Sequence, residues 1–182
     1  GLLYGKEEIL KKLPNQNHEF LKGQYPYTIN PGGPNHEELS SLVGIYEYFN
    51  NLYNHHYEKI DLTQREKIVK VNNLISSYEA EIANPLLKYL SNHKEFKLIG
   101  KNRIESKNRA PTISFYSKKR SSKEISNFLV KNKIATRNDN FYAWRCLKNL
   151  NINVDDGVVR ISMVHYNTKD EVNNLISILD KF

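Results

Sequence analysis

The sequence predicts an α+β fold, in which a small sheet carries helices on one face and a long kinked helix is present in addition. Two observations on the 182 residues predict it: helical amphipathic patterns dominate the first half, and short β-branched runs alternate with helices in the second half. A third is that three Thr/Ser-x-x-Glu capping boxes stand where helical segments begin. The order expected after the helix-rich half is β, β, α, β, α, β, α.

Two parts of the chain differ in composition. Residues 35–182 carry the helix and strand patterns of a small α+β domain, whereas residues 1–34 are predicted to be the tail end of a larger domain with its connection. The sequence starts at Gly1, inside an apolar segment and without an initiator methionine. We therefore expect it to be a piece of a longer protein.

Short elements are expected at the start of the chain. Leu2–Tyr4 is apolar and bounded by glycines, which indicates a buried strand. Glu7–Leu13 has an apolar face and stops at Pro14, as a short helix does. The residues up to Pro34 are rich in Asn, Gly and Pro and predict a loop with one extended segment, Tyr25–Ile29.

A helix with an apolar stripe should follow this loop. Asn35 is predicted to cap it, and it should end between Tyr53 and His56. Acidic residues in its first turn suit the helix dipole. The residues expected to face inward are Leu39, Leu42, Val43, Tyr46 and Phe49.

The next helix is the long one. Thr63 and Glu66 form its capping box, and the helical periodicity continues to about Asn92. Pro85 has no N–H group, so we expect it to kink or break this helix near Asn84.

The rest of the chain should build the sheet. Strands are predicted at residues 96–99, 112–116, 134–137 and 158–164. Helices are predicted after the Ser121-x-x-Glu124 box, over Phe141–Leu150 with a cap from Asn138–Asn140, and after the Thr168-x-x-Glu171 box.

Composition excludes several classes of protein. An apolar content of 39% is enough for a core, but no run approaches the ~18 apolar residues of a membrane span, so we expect no membrane partner. Cys146 is the one cysteine, so a disulfide framework within this chain is excluded, and a reducing, cytoplasmic location is expected. His55 and His56 have no partner at metal-ligand spacing, so we expect no metal site.

The net charge of +7 raises the question of nucleic acid. A nucleic-acid surface would interleave basic residues with aromatic ones on one face. The densest basic run, Lys118–Arg120, leads directly into a capping box and therefore indicates a turn before a helix. We expect no nucleic-acid partner, and note that positive charge also suits anionic cofactors or substrates.

Arg160 is the first candidate site residue. It is the one charge in the apolar strand Val158–Val164, and burying such a charge is costly unless it meets an anion. Its planar fork matches a carboxylate. The residue pattern leaves two interpretations open. Arg160 either binds the carboxylate of a ligand, or it is a structural arginine that faces solvent or pairs with an acidic side chain.

Two loops supply the other candidates. Gly32-Gly33-Pro34-Asn35 stands before a helix, where free backbone N–H groups can bind phosphate, although most such turns are only turns. The polar loop Arg137–Tyr142, which includes Asn140, closes on aromatic residues and could line a pocket, although helix capping alone would also explain it.

Four segments together resemble one family in the same order. They are Gly1-Leu-Leu-Tyr-Gly-Lys6, Gly32-Gly-Pro-Asn35, Arg109-Ala-Pro-Thr-Ile-Ser-Phe115, and Val159-Arg-Ile-Ser followed by Tyr166-Asn-Thr and Glu171. This set resembles the class V aminotransferases, fold-type I enzymes that depend on pyridoxal phosphate. The nearest branch is that of the cysteine desulfurases and selenocysteine lyases, whose late loop reads like Asn140-Phe-Tyr-Ala143 here.

The resemblance implies a role for each segment. The chain would be the C-terminal small domain, with residues 1–34 ending the cofactor domain, and the Schiff-base lysine would fall immediately upstream of Gly1. Arg160 would hold the substrate's α-carboxylate, with Asn140 also at the substrate. Gly32, Gly33 and Asn35 would reach the cofactor phosphate of the partner subunit in a homodimer. The implied activity is that of a lyase or transferase acting on a small amino acid, and this chain alone is expected neither to be active nor to bind the cofactor.

Two departures from the family pattern bear on the reaction. Gly33 stands where the desulfurases usually have Thr, so a hydroxyl contact to phosphate is lost. Their persulfide cysteine falls in the loop occupied here by Asn140–Tyr142, which contains no cysteine. An alternative function is therefore kept, a non-catalytic dimerising interaction domain that retains the fold and binds no cofactor. A basic nucleic-acid binder, whose affinity would fall steeply with salt, is a third.

Overall fold

The structure is a computed structural model that describes residues 3–25, 27–30, 32–58, 62–105 and 108–182. It forms two compact units, Gly1–Leu62 and Thr63–Phe182. No helix in the described ranges is both long enough and apolar enough to cross a bilayer. The boundary predicted at residue 35 remains a prediction.

The described residues of the first unit contain two α-helices, α1 (Glu7–Leu10) and α2 (His36–His56), and two 3-10 turns, Glu19–Leu21 and Tyr27–Ile29. The predicted cap of α2 is confirmed, because the Asn35 side chain accepts a hydrogen bond from the Glu38 N–H at 3.0 Å. The helix ends at His56, within the predicted range from Tyr53 to His56.

Several predictions for the first unit are wrong. The residues predicted to face inward on α2 are largely exposed, with Leu39, Val43 and Tyr46 at 47%, 59% and 45%. Leu3 and Tyr4 form no strand and are 80% and 83% exposed, and Leu2 lies outside the described residues. The helix α1 ends at Leu10 instead of Leu13, and the segment predicted as extended contains the 3-10 turn Tyr27–Ile29. The apolar pattern of these segments is too short to specify an element without a partner to pack on.

The second unit begins with α3 (Gln64–Asn92), whose predicted capping box is present. The Thr63 side chain accepts from the Glu66 N–H, and the Glu66 carboxylate accepts from the Thr63 N–H at 2.8 Å. The helix continues through Pro85 to Asn92. Proline costs a helix one hydrogen bond, and here the burial of Ala83, Leu86 and Leu87 around it offsets that loss.

The sheet has four strands, β1 (Phe96–Ile99), β2 (Thr112–Ser117), β3 (Arg137–Asp139) and β4 (Val158–Ser162). They are antiparallel and ordered β1-β2-β4-β3. The helices between and after them are α4 (Ser122–Lys131), α5 (Trp144–Asn149) and α6 (Lys169–Leu179). The capping boxes predicted for α4 and α6 are both present, and the predicted α+β fold is confirmed.

Several boundaries in this unit differ from prediction. The strand β4 ends at Ser162 instead of Val164, and β2 extends one residue further, to Ser117. The third strand lies at Arg137–Asp139 and not at residues 134–137, because pairing with β4 decides its position more than its own polar sequence does. The helix predicted from Phe141 begins only at Trp144, after Ala143, which makes no side-chain cap. Phe141 and Tyr142 both have positive φ angles, 52° and 61°, which a helix excludes.

The two faces of the sheet carry different cores. The larger core joins one face to α3, α4 and α6; among its members are Ile82, Leu86, Leu90, Ile113, Phe115, Ile125, Leu129, Val159, Ile161, Leu175 and Leu179. The smaller core, on the opposite face, joins Val158 to Leu147 of α5 and to Ile152. Because neighbouring strand residues point to opposite faces, Arg160 lies on the side of the smaller core.

Candidate anion-binding site

Arg160 sits in the middle of β4, half-buried, between residues of two neighbouring strands. Its register partner on β2 is Ser114 and its register partner on β3 is Arg137. Val159 and Ile161 on either side of it point into the larger core. The strand therefore holds the base of the arginine side chain rigidly on the opposite face.

The Arg160 side chain lies over an aromatic ring. Its Cζ atom is 3.9 Å from the centroid of the Phe141 ring, which is cation–π contact. Among the described residues, the Arg160 guanidinium forms no hydrogen bond and no ion pair. A half-buried arginine whose N–H groups are free can bind an anion in its plane.

The loop Asn140–Tyr142 places that ring. The Asn140 side-chain oxygen accepts a hydrogen bond from the Tyr142 N–H at 3.0 Å, and the main-chain carbonyl of Asn140 accepts one from the Ala143 N–H at 2.8 Å. Its amide donates to the Val154 carbonyl at 3.5 Å. The structure thus engages Asn140 in holding the loop, and its contact with a substrate remains a prediction.

Gly157 allows the end of β3 to lie against the start of β4. Its φ is +69°, and a Cβ atom there would be 2.3 Å from the Asp139 carbonyl carbon and 2.7 Å from the Asn140 nitrogen. Any side chain at this position would push Asp139 and Asn140 away. The glycine is therefore a structural requirement for a loop that reaches Arg160.

The other predicted site residues lie in the first unit, at the start of α2. Gly32 and Gly33 are exposed, and a Cβ added to either would meet nothing within 4 Å. The Asn35 side chain accepts a hydrogen bond from the Glu38 N–H and so caps the helix. An anion at this position would therefore contact main-chain N–H groups and not the Asn35 side chain. Glu37 and Glu38 in the first turn reduce the positive potential of this helix end.

The structure brings Arg160 next to the loop that contains Asn140, because the Phe141 ring contacts the Arg160 guanidinium. It also places Arg137 opposite Arg160. The sequence pattern singles out neither Arg137 nor Phe141 as a site residue. The prediction placed a loop where β3 lies, so the register that sets Arg137 opposite Arg160 could not be derived. Among the described residues, no cluster of three or more His, Cys, Asp or Glu could hold a metal ion.

Comparisons with known proteins agree on one family. The family model described as Aminotransferase class-V matches residues 1–175. A curated relative, the aminotransferase-like protein FGM3 of Gibberella zeae, is 27% identical over 183 residues, covering 99% of this chain. This chain spans 42% of the length of that relative.

Solved structures show the same fold at low identity. The cysteine desulfurase CsdA of Escherichia coli matches with a TM-score of 0.61 and 20% identity over 86% of this chain and 32% of its own. A cysteine desulfurase of Thermococcus onnurineus matches with a TM-score of 0.51 and 20% identity over 65% of this chain and 29% of its own.

Proposed function

Since this chain belongs to the class V aminotransferase family, we propose that it supplies the part of a pyridoxal-phosphate enzyme that binds the carboxylate of an amino-acid substrate. The observation that carries the proposal is Arg160, a half-buried guanidinium with free N–H groups above the Phe141 ring. We propose a lyase or transferase of the cysteine desulfurase-like or aminotransferase-like kind, acting on a small amino acid.

Arg160 would bind the α-carboxylate through two parallel N–H···O bonds. The strand and the smaller core limit the rotamers of its side chain, so little ordering would be needed on binding. Arg137 on the neighbouring strand adds a second positive charge on the same face. Together they would favour the anionic end of an amino acid at this surface.

The cofactor would need residues from more than this chain. We propose that the main-chain N–H groups at the exposed residues Gly32 and Gly33 and at the start of α2 hold the cofactor phosphate of the partner subunit in a homodimer. The lysine that attaches the cofactor would stand just before Gly1. When bound, pyridoxal phosphate supplies an electron sink for the substrate's Cα bonds.

The loop Asn140–Tyr142 restricts the types of reaction that we propose. It contains no thiol, so we propose a route that does not store sulfur on this loop. Cys146 is exposed on α5, four residues after Tyr142 in the sequence. The alternative, a dimerising domain without catalysis, makes the opposite prediction about cofactor binding.

The proposal is tested on the full-length protein by its visible absorbance with pyridoxal phosphate, before and after L-cysteine or L-alanine is added. A cofactor band that changes with amino acid is expected. Arg160→Ala should weaken amino-acid binding about 10- to 100-fold, the value of one charged hydrogen-bond pair. Arg65→Ala, which removes an exposed arginine on α3, is the matched charge control and should change nothing. Absence of any cofactor band would favour the interaction domain.

A further inference from the structure

We propose that Phe141 is a positioning residue for Arg160: its ring holds the guanidinium plane so that the N–H edge faces the substrate carboxylate. The inference rests on the proposed function, since it assumes that Arg160 binds that carboxylate. It assigns a role to a residue that would touch neither the substrate nor the cofactor.

The contact itself supports this role. A ring 3.9 Å from Arg160 Cζ occupies one face of the guanidinium and leaves the N–H groups in its plane unused. A carboxylate partner in the same place would instead consume two of those N–H groups. Phe141 therefore stabilises the cation without competing with an incoming anion.

The charge arrangement makes such a support necessary. Arg137 is paired directly opposite Arg160 on β3, and like charges in opposed positions of a sheet repel. No acidic side chain pairs with either arginine in the described part of the chain. Without the ring, repulsion would favour rotamers that carry the Arg160 guanidinium away from this face.

The backbone of the loop points to the same conclusion. Phe141 and Tyr142 both lie in the left-handed region, which is costly for aromatic residues and persists only where the surroundings enforce it. Two contacts hold the backbone in this conformation, the hydrogen bond from the Tyr142 N–H to the Asn140 side chain and the close approach of Gly157 to Asn140. Tyr142 has the same backbone conformation but is fully exposed, so it serves as an internal comparison for Phe141.

The first experiment measures amino-acid binding to the full-length holoenzyme by absorbance titration. Phe141→Leu, which keeps an apolar side chain against the smaller core, should raise the dissociation constant and KM for L-alanine about 3- to 30-fold, with kcat unchanged. Phe141→Tyr keeps the ring and should behave as wild type. Tyr142→Leu is the matched control and should have no effect. Binding of ethylamine, which lacks the carboxylate, should not respond to Phe141→Leu.

The second experiment needs no cofactor chemistry. Phenylglyoxal modifies accessible arginines, and mass spectrometry reports the rate at each site. Phe141→Leu should raise the modification rate of Arg160 about 3-fold or more, because the ring no longer covers one face. The rate at Arg137, which is exposed, is the internal reference and should not change.

The outcomes separate this inference from the proposed function. If Arg160→Ala leaves L-alanine binding unchanged, the carboxylate role of Arg160 is wrong, and the positioning role is wrong with it. If Arg160→Ala weakens binding but Phe141→Leu does not, the proposed function stands and the positioning role is overturned. Equal losses for L-alanine and ethylamine in Phe141→Leu would also overturn it, because they would indicate a general structural defect.

Discussion

The helices α2 and α3 begin in the same way, but they differ in how much of their apolar surface is buried. Each starts with a side-chain cap, from Asn35 or Thr63, and each runs for more than 20 residues, 21 and 29. Yet α2 buries only Tyr53, whereas α3 buries Val71, Ile82, Ala83, Leu86, Leu87 and Leu90. The comparison teaches that a cap determines where a helix starts, while its partners determine how much of its apolar stripe contributes to stability.

The same contrast separates the two units. The residues predicted to face inward on α2 are largely exposed, with Leu42 and Val43 at 37% and 59%. In the second unit, Val172, Leu175 and Leu179 of α6 are all buried. Three predictions test this difference, and the largest effect is expected in the core.

Truncating a core side chain should give the largest difference in stability loss between the two units. Leu86→Ala removes a fully buried side chain and should lower the free energy of unfolding by about 2–5 kcal/mol. Leu42→Ala on α2 should cost under about 1 kcal/mol, because its side chain already contacts solvent. Urea denaturation of this chain, followed by circular dichroism, measures both. Equal costs would mean that the α2 stripe is covered in solution.

Replacing two glycines by alanine should change the free energy of unfolding in opposite directions. Gly157→Ala combines a φ of +69° with a Cβ 2.3 Å from the Asp139 carbonyl carbon, and should destabilise by about 2 kcal/mol or more. Gly44→Ala lies in α2 with nothing within 4 Å of the new Cβ, and should stabilise by about 0.5–1 kcal/mol. The same denaturation experiment measures the change in the free energy of unfolding for each variant. Destabilisation by Gly44→Ala would show that this face of α2 is packed.

A small, pH-dependent effect is expected at the start of α6. Hydrogen bonds from the Thr168 N–H, and then from the Asn167 amide, lower the pKa of the Glu171 carboxyl. A lowered pKa stabilises the fold above the ordinary value of 4.5, and that stability is lost as pH falls through the folded-state pKa. Thermal melts should therefore show Glu171→Gln below wild type in Tm above pH 4.5, with the difference vanishing in more acidic solution.

The neutral cap of α2 is the control for this experiment. Asn35→Ala removes a hydrogen bond that involves no carboxylate side chain, so its cost should not vary over the same pH range. A Glu171→Gln difference that stays constant with pH would contradict the charge-based explanation.

Much of the candidate site could be predicted because its signals are local. Arg160 was identified as a single charge in an apolar strand, and Gly32, Gly33 and Asn35 as a turn before a helix. Phe141 could not be selected in this way, because an aromatic residue after a polar run is also what a helix start looks like. Its importance depends on a left-handed backbone and on a guanidinium 19 residues later in the sequence.

The sequence by itself determined the α+β class, the four side-chain caps and the helical periodicity that ends at about Asn92, since each depends on residues a few positions apart. The sequence did not predict that this helix continues unbroken through Pro85. Only the tertiary structure decided the order β1-β2-β4-β3, the pairing of Arg137 with Arg160 and the position of the Phe141 ring. These depend on strand register and on the close approach at Gly157, which arise when segments distant in sequence pack together.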